Sequence, residues 1–118
     1  MSHTMNIKTE LRDMDVLQAT CSRLGLTCSM GTHRLYAGPE VGMGIQFKNW
    51  QYPIVVDPQT GEVRYDTYNG RWGNEKDLHN LEAYYSIEKA KLEASRQGYT
   101  VEEIDTDGQI ELTIMVGE

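Results

Sequence analysis

The chain has 118 residues and a formal net charge of −7, from 18 acidic and 11 basic side chains. This length is enough to bury a hydrophobic core without disulfides or metals, and we expect a single domain over residues 1–118. The acidic balance argues against binding of nucleic acid, since neutralising phosphates requires a dense basic face. We find no signal peptide and no run of about 18 apolar residues, so we expect a cytoplasmic protein that does not span a membrane.

The first part of the chain predicts a strand followed by a helix. Apolar and polar residues alternate over residues 5–11, which is typical of a strand with one side in the core. Asp13 or Asp15 can cap the helix that follows, because a carboxylate accepts hydrogen bonds from the free N–H groups of a first turn. Apolar residues then recur at intervals of three and four until Gly25, where we expect the helix to end.

Two short strands and a loop are predicted next. Alternation predicts strands over residues 26–30 and 33–37. The segment 38–44 contains three glycines and a proline, which disfavour regular structure, so we predict a loop there. A phosphate-binding loop would be followed by a helix, whereas Ile45 and Phe47 belong to another alternating strand. The sequence therefore favours a plain loop.

A β-hairpin and a long helix follow. Residues 53–57 and 62–68 are rich in strand formers and flank residues 58–61, a proline-led connection that ends in glycine, so they predict a hairpin. Asn74 offers a helix cap and Gly98 follows a cationic last turn, which together predict a helix of roughly 22 residues. Apolar residues lie on two nearly opposite sides of this helix, so we expect one side to contact a partner or a second copy.

The chain ends with a second predicted hairpin, formed by residues 99–104 and 110–116 around a turn at 105–108. The order of elements predicts an α+β fold. We expect two layers, with a mostly antiparallel sheet of about six to eight strands and two helices on one face, as a ferredoxin-like variant. We find no internal repeat and no linker that would divide the chain.

Metal-ligating and nucleophilic side chains are few, and their spacing does not bring them together. No two histidines share a helical or strand spacing that would aim them at one ion. The soft ligands of the chain are His3, His33, His79, Cys21 and Cys28. The two cysteines lack CxxC spacing, and we interpret them as a reduced thiol pair. No Ser-His-Asp or Cys-His arrangement is visible, so we predict no catalytic residue, no metal and no cofactor.

Three carboxylates belong to the predicted central hairpin: Asp57, Glu62 and Asp66. One interpretation is a carboxylate pair for acid–base chemistry or for a divalent cation. The other is that one carboxylate caps the turn and the others face outward from the strands. The sequence favours the second interpretation, because nothing in it orients these side chains toward one another.

Aromatic residues are concentrated in one part of the chain, and the segment Gly70-Arg71-Trp72-Gly73 has two interpretations. In the first, the glycines provide the turns between a strand and a helix while Trp72 packs on the sheet edge. In the second, Arg71 and Trp72 form an exposed anchor beside the positive end of the long helix, where a carboxylate, a phosphate or an acidic segment of a partner would bind. The candidate binding residues are Asn69, Arg71, Trp72, Trp50, Tyr52 and Tyr84.

Several stretches of the chain resemble one family. They include Tyr52-Pro53-Ile54-Val55-Val56-Asp57, Tyr68-Asn69-Gly70-Arg71-Trp72-Gly73, Gln97-Gly98-Tyr99 and Asp107-Gly108. With them the chain resembles the small uncharacterised proteins related to hypothetical chloroplast open reading frame thirty-five, which occur in plastids, cyanobacteria, other bacteria and some phages. The resemblance covers almost the whole chain and implies a domain of unknown function with no catalytic residues to carry over. It also implies a gene neighbourhood, with an AAA-type ATPase and a small companion protein, that favours an interaction role.

Two functions are consistent with these observations. The leading hypothesis is a non-enzymatic interaction or adaptor module, which binds a protein partner or a second copy. The alternative is a small-molecule-binding or enzymatic domain, with a pocket between the predicted loop 38–44, residues 50–52 and the Arg71-Trp72 pair. An exposed apolar strip on the long helix would favour the first, and a concave site with convergent polar groups would favour the second.

Overall fold

The computed structural model describes residues 5–8, as backbone, and residues 11–115. The chain divides into two compact units, residues 1–85 and residues 86–118. The long second helix contributes its first half to one unit and its second half to the other. The single domain over residues 1–118 stays a prediction.

The first unit contains one helix, five strands and the start of the second helix. They are β1 (Met5–Lys8), α1 (Met14–Leu24), β2 (Thr27–Leu35), β3 (Gly38–Gln46), β4 (Ile54–Val56), β5 (Glu62–Tyr65) and α2, which runs over Glu75–Arg96. The second unit contains the end of α2 and two further strands, β6 (Thr100–Thr106) and β7 (Gln109–Met115).

All strand pairs in the described residues are antiparallel. The strands of the first unit form a sheet in the order β1-β5-β4-β3-β2, and β6 pairs with β7 in a separate two-stranded sheet. The predicted α+β class and the antiparallel pairing are confirmed. The predicted sheet is too large, because the last two strands pair only with each other within the described residues. The ferredoxin-like arrangement is not confirmed.

Both ends of α1 have caps that the sequence predicts. Oδ1 of Asp13 accepts hydrogen bonds from the backbone N–H groups of Asp15 and Val16, at 3.1 and 3.2 Å, so Asp13 is the cap. At the other end Gly25 has a φ of 70°, a left-handed conformation that glycine adopts without a steric penalty. The helix buries Val16, Leu17, Thr20 and Cys21.

One face of the main sheet forms the core of the first unit. Residues opposite each other in neighbouring strands share a face, and the register pairs Ile45 with Ile54, Met43 with Val56, and Val56 with Val63. These five side chains are almost completely buried. Since removal of apolar surface from water is the main favourable term in folding, this face and the buried side of α1 both stabilise the unit.

The predicted loop over residues 38–44 is wrong, because these residues belong to strand β3. Two of the glycines allow close packing against the strand. A β-carbon on Gly42 would come within 2.5 Å of the backbone oxygen of Val56, and one on Gly44 would come within 2.4 Å of the imidazole of His33. Glycine here marks close contact within a sheet, which a composition rule for loops cannot distinguish from a flexible segment.

β2 is a single strand where the sequence predicts two short ones. Gly31, which separates the two predicted strands, pairs with Gly42 in the register of β2 and β3. The two glycines interrupt the alternation of side chains, but the hydrogen-bonded ladder continues through them. β2 and β3 therefore form one long hairpin.

The central hairpin and the long helix are confirmed. In the turn between β4 and β5, Gly61 has a φ of 76° and its N–H donates to the carbonyl of Asp57 at 2.8 Å. At the start of α2, Oδ1 of Asn74 accepts from the N–H of Lys76 at 3.0 Å. β5 ends at Tyr65, three residues before its predicted end.

α2 does not carry the exposed apolar strip that its two apolar sides predict. Leu78, Leu81 and Tyr85 are buried in the first unit, and Ala94 is buried in the second. The exposed large hydrophobic side chains of the described residues lie on strands and at one turn: Met30, Tyr36, Val41, Ile104, Ile114 and Met115. A partner contact through α2 therefore loses its structural support.

No helix within the described ranges is long and apolar enough to cross a membrane.

Candidate functional site

Four aromatic side chains meet in the first unit, and we call them the aromatic surface: Tyr36, Tyr52, Tyr68 and Trp72. Trp72 is the centre of the group. The centroid of its ring lies 4.8 Å from that of Tyr68 and 5.2 Å from that of Tyr52, and both tyrosines meet it edge to face. The ring of Tyr36 lies 5.1 Å from that of Trp72, in a tilted arrangement. Edge-to-face and offset contacts are the favourable geometries for aromatic pairs.

Three separate parts of the chain supply these rings. Tyr36 occupies the turn between β2 and β3, and Tyr52 lies two residues before β4. Tyr68 and Trp72 belong to the loop 66–73 between β5 and α2. Within β3, only the last part of the strand pairs with β4. The outer part of the β2–β3 hairpin is therefore not paired with β4. The turn of this hairpin, which carries Tyr36, contacts the loop 66–73.

The loop 66–73 has an unusual backbone conformation. Tyr68, Asn69 and Gly70 have positive φ angles of 45°, 55° and 90° in succession. A left-handed conformation costs a residue with a side chain about 1–2 kcal/mol, so other contacts must hold the first two in place. A non-glycine residue with positive φ is uncommon, and two in a row mark this loop as a constrained segment.

Hydrogen bonds fix this conformation. The carbonyl of Thr67 accepts from the N–H of Gly70 at 3.0 Å and from that of Trp72 at 2.8 Å. Oδ1 of Asp66, a buried carboxylate, accepts from the N–H of Tyr68 at 2.9 Å. Backbone strain that is held by surrounding contacts is typical of binding sites and active sites, so the loop is a candidate on this ground too.

Part of the aromatic surface is open to solvent. Tyr36 is 59% exposed, and the other three rings are half-buried. Arg71 and Asn69 are exposed beside them. The guanidinium carbon of Arg71 lies 5.3 Å from the ring centroid of Tyr68, within the range of a cation–π contact. The surface therefore combines aromatic area with one positive charge and an amide.

Trp50, a predicted binding residue, lies in the core of the first unit. Its ring is 6% exposed, and its centroid lies 5.0 Å from that of Phe47 and 6.2 Å from that of Tyr65. The indole Nε1 donates a hydrogen bond to Oδ2 of Asp77 at 2.9 Å. The ring also lies against Gly73, where a β-carbon would come within 2.3 Å of it. Trp50 is thus a core residue whose ring packs against the end of the loop 66–73.

Tyr84 lies elsewhere in the first unit. It is half-buried, and the guanidinium carbon of Arg23 lies 4.7 Å from its ring centroid. Of the six predicted binding residues, the structure therefore brings four together in one place: Asn69, Arg71, Trp72 and Tyr52.

Both interpretations of the Gly70–Gly73 segment describe part of the structure. Gly70 has a φ of 90°, the turn conformation of the first interpretation, and Gly73 makes a packing contact that neither interpretation includes. Arg71 is exposed beside the half-buried ring of Trp72, and the binding role of the second interpretation stays a prediction. Sequence reasoning missed two members of the aromatic surface. Tyr68 lies within the Tyr-Asn-Gly-Arg-Trp-Gly block and could have been included, but no local pattern indicates Tyr36.

Of the three hairpin carboxylates, Glu62 and Asp57 lie near Arg64, together with Glu40 of β3. Nη1 of Arg64 lies 2.5 Å from Oε2 of Glu40, and its Nε lies 3.7 Å from Oε1 of Glu62. The hydrogen bond and the charge of Glu40 raise the pKa of Arg64, with smaller effects of Glu62 and Asp57. Asp66 is buried apart from them, and its Oδ2 has no hydrogen-bond partner among the described residues.

The histidines do not converge on one point. Nε2 of His33 lies 2.8 Å from the carbonyl oxygen of Ser29, while His79 is exposed on α2 and His3 lies outside the described residues. In residues 5–8 and 11–115, no group of three or more His, Cys, Asp or Glu side chains is placed to hold a metal ion.

An open pocket of about 250 Å³ lies in the first unit, but not where the small-molecule hypothesis expects it. Neither Trp72 nor the segment 38–44 lines this pocket. Its lining residues are Leu24, Leu26, Phe47, Lys48, Asn49, Asp77 and Asn80. Ligand pockets typically enclose about 300–1,000 Å³, so this one is small.

Comparison with protein-family models, with curated proteins and with solved structures returned no match. The resemblance of the Tyr68–Gly73 block to the open reading frame thirty-five family therefore stays an expectation.

Proposed function

We propose that this chain is a non-enzymatic interaction module whose aromatic surface binds a protein partner. The observation that carries the proposal is the contact of Tyr36 with Trp72, an exposed tyrosine on a half-buried tryptophan outside the core. Tyrosine, tryptophan and arginine are the residues that dominate the binding energy of protein interfaces. All three types occur here side by side.

The rigidity of the surface supports the proposal. The loop that carries Tyr68 and Trp72 is fixed by hydrogen bonds to Thr67 and Asp66, and Trp50 packs beneath its end at Gly73. Ordering flexible groups on binding costs free energy, so a surface that is already ordered binds more tightly than a mobile one. The positive φ angles of Tyr68 and Asn69 are consistent with this role. If the loop only connected β5 to α2, residues that adopt these angles without strain would serve equally well.

The kind of partner follows from the same residues and from the resemblance. Arg71 lies at the edge of the rings and is able to contact a carboxylate of the partner. Among the proteins implied by the family resemblance, we propose an AAA-type ATPase or a small companion protein as the first partners to test. A second copy of this chain is the other possibility, and it is tested by the same surface variants.

The experiment compares proteins captured by the wild-type chain with those captured by the Arg71→Ala/Trp72→Ala double variant. Each captured protein is then purified, and its affinity for the two forms is measured by titration. We expect the double variant to weaken binding at least about tenfold, which corresponds to about 1.4 kcal/mol. Circular dichroism and urea denaturation establish that the variant is folded.

Val41→Ala is the matched control, since Val41 is 72% exposed on β3 and is not a member of the aromatic surface. This variant should bind like the wild type. The proposal fails if the double variant is folded and binds every purified partner as the wild type does. Light scattering of the same variants tests self-association: a dimer that only the double variant loses would identify a second copy as the partner.

The open pocket of the first unit supports a second candidate function, the binding of a small molecule. Its lining combines the apolar side chains of Leu24, Leu26 and Phe47 with polar side chains such as Lys48 and Asn80. This mixture is typical of ligand sites, although the volume is small. A thermal-shift screen with metabolites tests it. A stabilising compound that no longer acts on Asn80→Ala would support this function over the first.

A further inference from the structure

Cys21 and Cys28 are the two cysteines of the chain, and they lie on the two elements that the turn at Gly25 joins. Cys21 lies in the last turns of α1 with its side chain fully buried, and Cys28 lies near the start of β2, half-buried. Cys28 is paired with Ile45, so its side chain lies on the core face of the sheet. In addition to the effect of burial, Cys28 is close enough to Cys21 to raise the pKa of the Cys21 thiol through its charge and through side-chain hydrogen bonding.

The connection between the two elements fixes this arrangement. α1 ends at Gly25 in a left-handed conformation, and the N–H of Leu26 donates to the carbonyl of Cys21 at 2.8 Å. The chain therefore turns back on the helix directly before Cys28. Cys21 and Cys28 thus lie in the same core, on the two elements that this turn joins, and this arrangement allows their sulfurs to approach each other.

We propose that Cys21 and Cys28 form a site of reversible oxidation, at which a low-molecular-weight disulfide such as oxidised glutathione converts the thiol pair to an intramolecular disulfide. In the first step the thiolate of Cys28 attacks one sulfur of oxidised glutathione, and one glutathione thiolate leaves. In the second step the thiolate of Cys21 attacks the sulfur of Cys28, and the second glutathione leaves. Two protein thiols are oxidised, one glutathione disulfide is reduced to two thiols, and the protons pass to the released thiolates.

The order of the steps follows from access. Cys28 is half-buried and can be reached from solvent, whereas Cys21 is fully buried. Burial, followed by the neighbouring Cys28, raises the pKa of Cys21 from 9.0 to about 12. Burial keeps Cys21 protonated near neutral pH, so the closing step is the slower one and becomes faster as the pH rises.

The experiment incubates the reduced wild-type chain with oxidised glutathione and counts free thiols by alkylation and intact-mass measurement. We expect both thiols to disappear together, with a disulfide within one chain and recovery of both thiols on reduction. Cys21→Ser should stop at a glutathione adduct on Cys28. In Cys28→Ser, Cys21 should react at least about tenfold more slowly than Cys28 does in Cys21→Ser.

Circular dichroism establishes that both variants are folded, and the wild type in urea shows how readily two accessible thiols oxidise under the same conditions. Three results would overturn the proposal. They are a wild type that stays reduced where the unfolded chain oxidises, a glutathione adduct on Cys28 that does not close, and a disulfide that joins two chains.

Discussion

The indole of Trp50 lies against the backbone of Gly73, so closely that a β-carbon on Gly73 would come within 2.3 Å of the ring. The Nε1 of the same indole donates a hydrogen bond to the carboxylate of Asp77. The N–H of the next residue, Gln51, donates to the carbonyl of Trp72 at 2.8 Å. A buried ring therefore holds the end of the loop that carries the aromatic surface. The two tryptophans have different roles. Trp50 packs against the end of the loop, whereas Trp72 belongs to the loop and contributes its ring to the aromatic surface.

Replacement of Gly73 by alanine should destabilise the first unit. The new methyl group would overlap the indole of Trp50, and overpacking of this kind typically costs about 1–3 kcal/mol. The free energy of unfolding, measured by urea denaturation, should fall by that amount. Gly70→Ala is the comparison, because nothing lies within 4 Å of a β-carbon there and only the positive φ is unfavourable. A larger loss at Gly70 than at Gly73 would contradict the packing role of Trp50.

The glycines of β3 should differ in their tolerance of alanine. A β-carbon on Gly42 meets the backbone oxygen of Val56, which cannot move without distorting β4. A β-carbon on Gly44 meets the imidazole of His33, a side chain that can rotate away. We expect Gly42→Ala to cost about 2–3 kcal/mol and Gly44→Ala about 1 kcal/mol or less. Equal losses in urea denaturation would argue that residues 38–44 are not packed as a strand.

Alkaline pH should destabilise the first unit through Tyr65. Burial, followed by the charge and hydrogen bond of Glu75 and the charge of Glu82, raises the pKa of Tyr65 from 10.0 to about 12. The folded chain therefore keeps a proton that the unfolded chain loses above pH 10. Its contribution to stability is complete below pH 10 and is lost as the pH rises toward 12, by up to about 1.4 kcal/mol per pH unit.

Urea denaturation of the wild type and of Tyr65→Phe over this pH range measures the effect. Phenylalanine does not titrate, so the variant should lose less stability between pH 10 and pH 11.5 than the wild type does. Contributions of other titrating groups, including Cys21, are common to both forms and cancel in the comparison. Parallel curves for the two forms would show that Tyr65 is not the group responsible.

The sequence predicts those parts of the fold that are set by local chemistry. The cap at Asp13, the left-handed Gly25 and the turn at Gly61 depend on neighbouring backbone groups within a few residues, so their signals can be read from the chain. The start of α2 at Asn74 belongs to the same group. These signals locate both helices and the central hairpin.

Features that depend on contacts between residues far apart in the sequence were not predicted. Residues 38–44 look like a loop because the reason for their glycines is the approach of Val56 and His33, which no local pattern shows. The same holds for Trp50, which is buried through its packing on Tyr65 and Gly73 and donates a hydrogen bond to Asp77, 27 positions away. Tyr36 joins Trp72 only because the hairpin of β2 and β3 carries it there.

The affinity of a purified partner for Tyr36→Ala decides between a binding surface and an ordinary cluster of rings. Tyr36 is 59% exposed and contacts the rings of Tyr52 and Trp72, so its removal should lower the free energy of unfolding by about 1 kcal/mol and leave the chain folded. If the aromatic surface binds the partner, Tyr36→Ala should raise the dissociation constant at least about tenfold while Val41→Ala leaves it unchanged. A dissociation constant equal to that of the wild type in a folded Tyr36→Ala chain would contradict the proposed function.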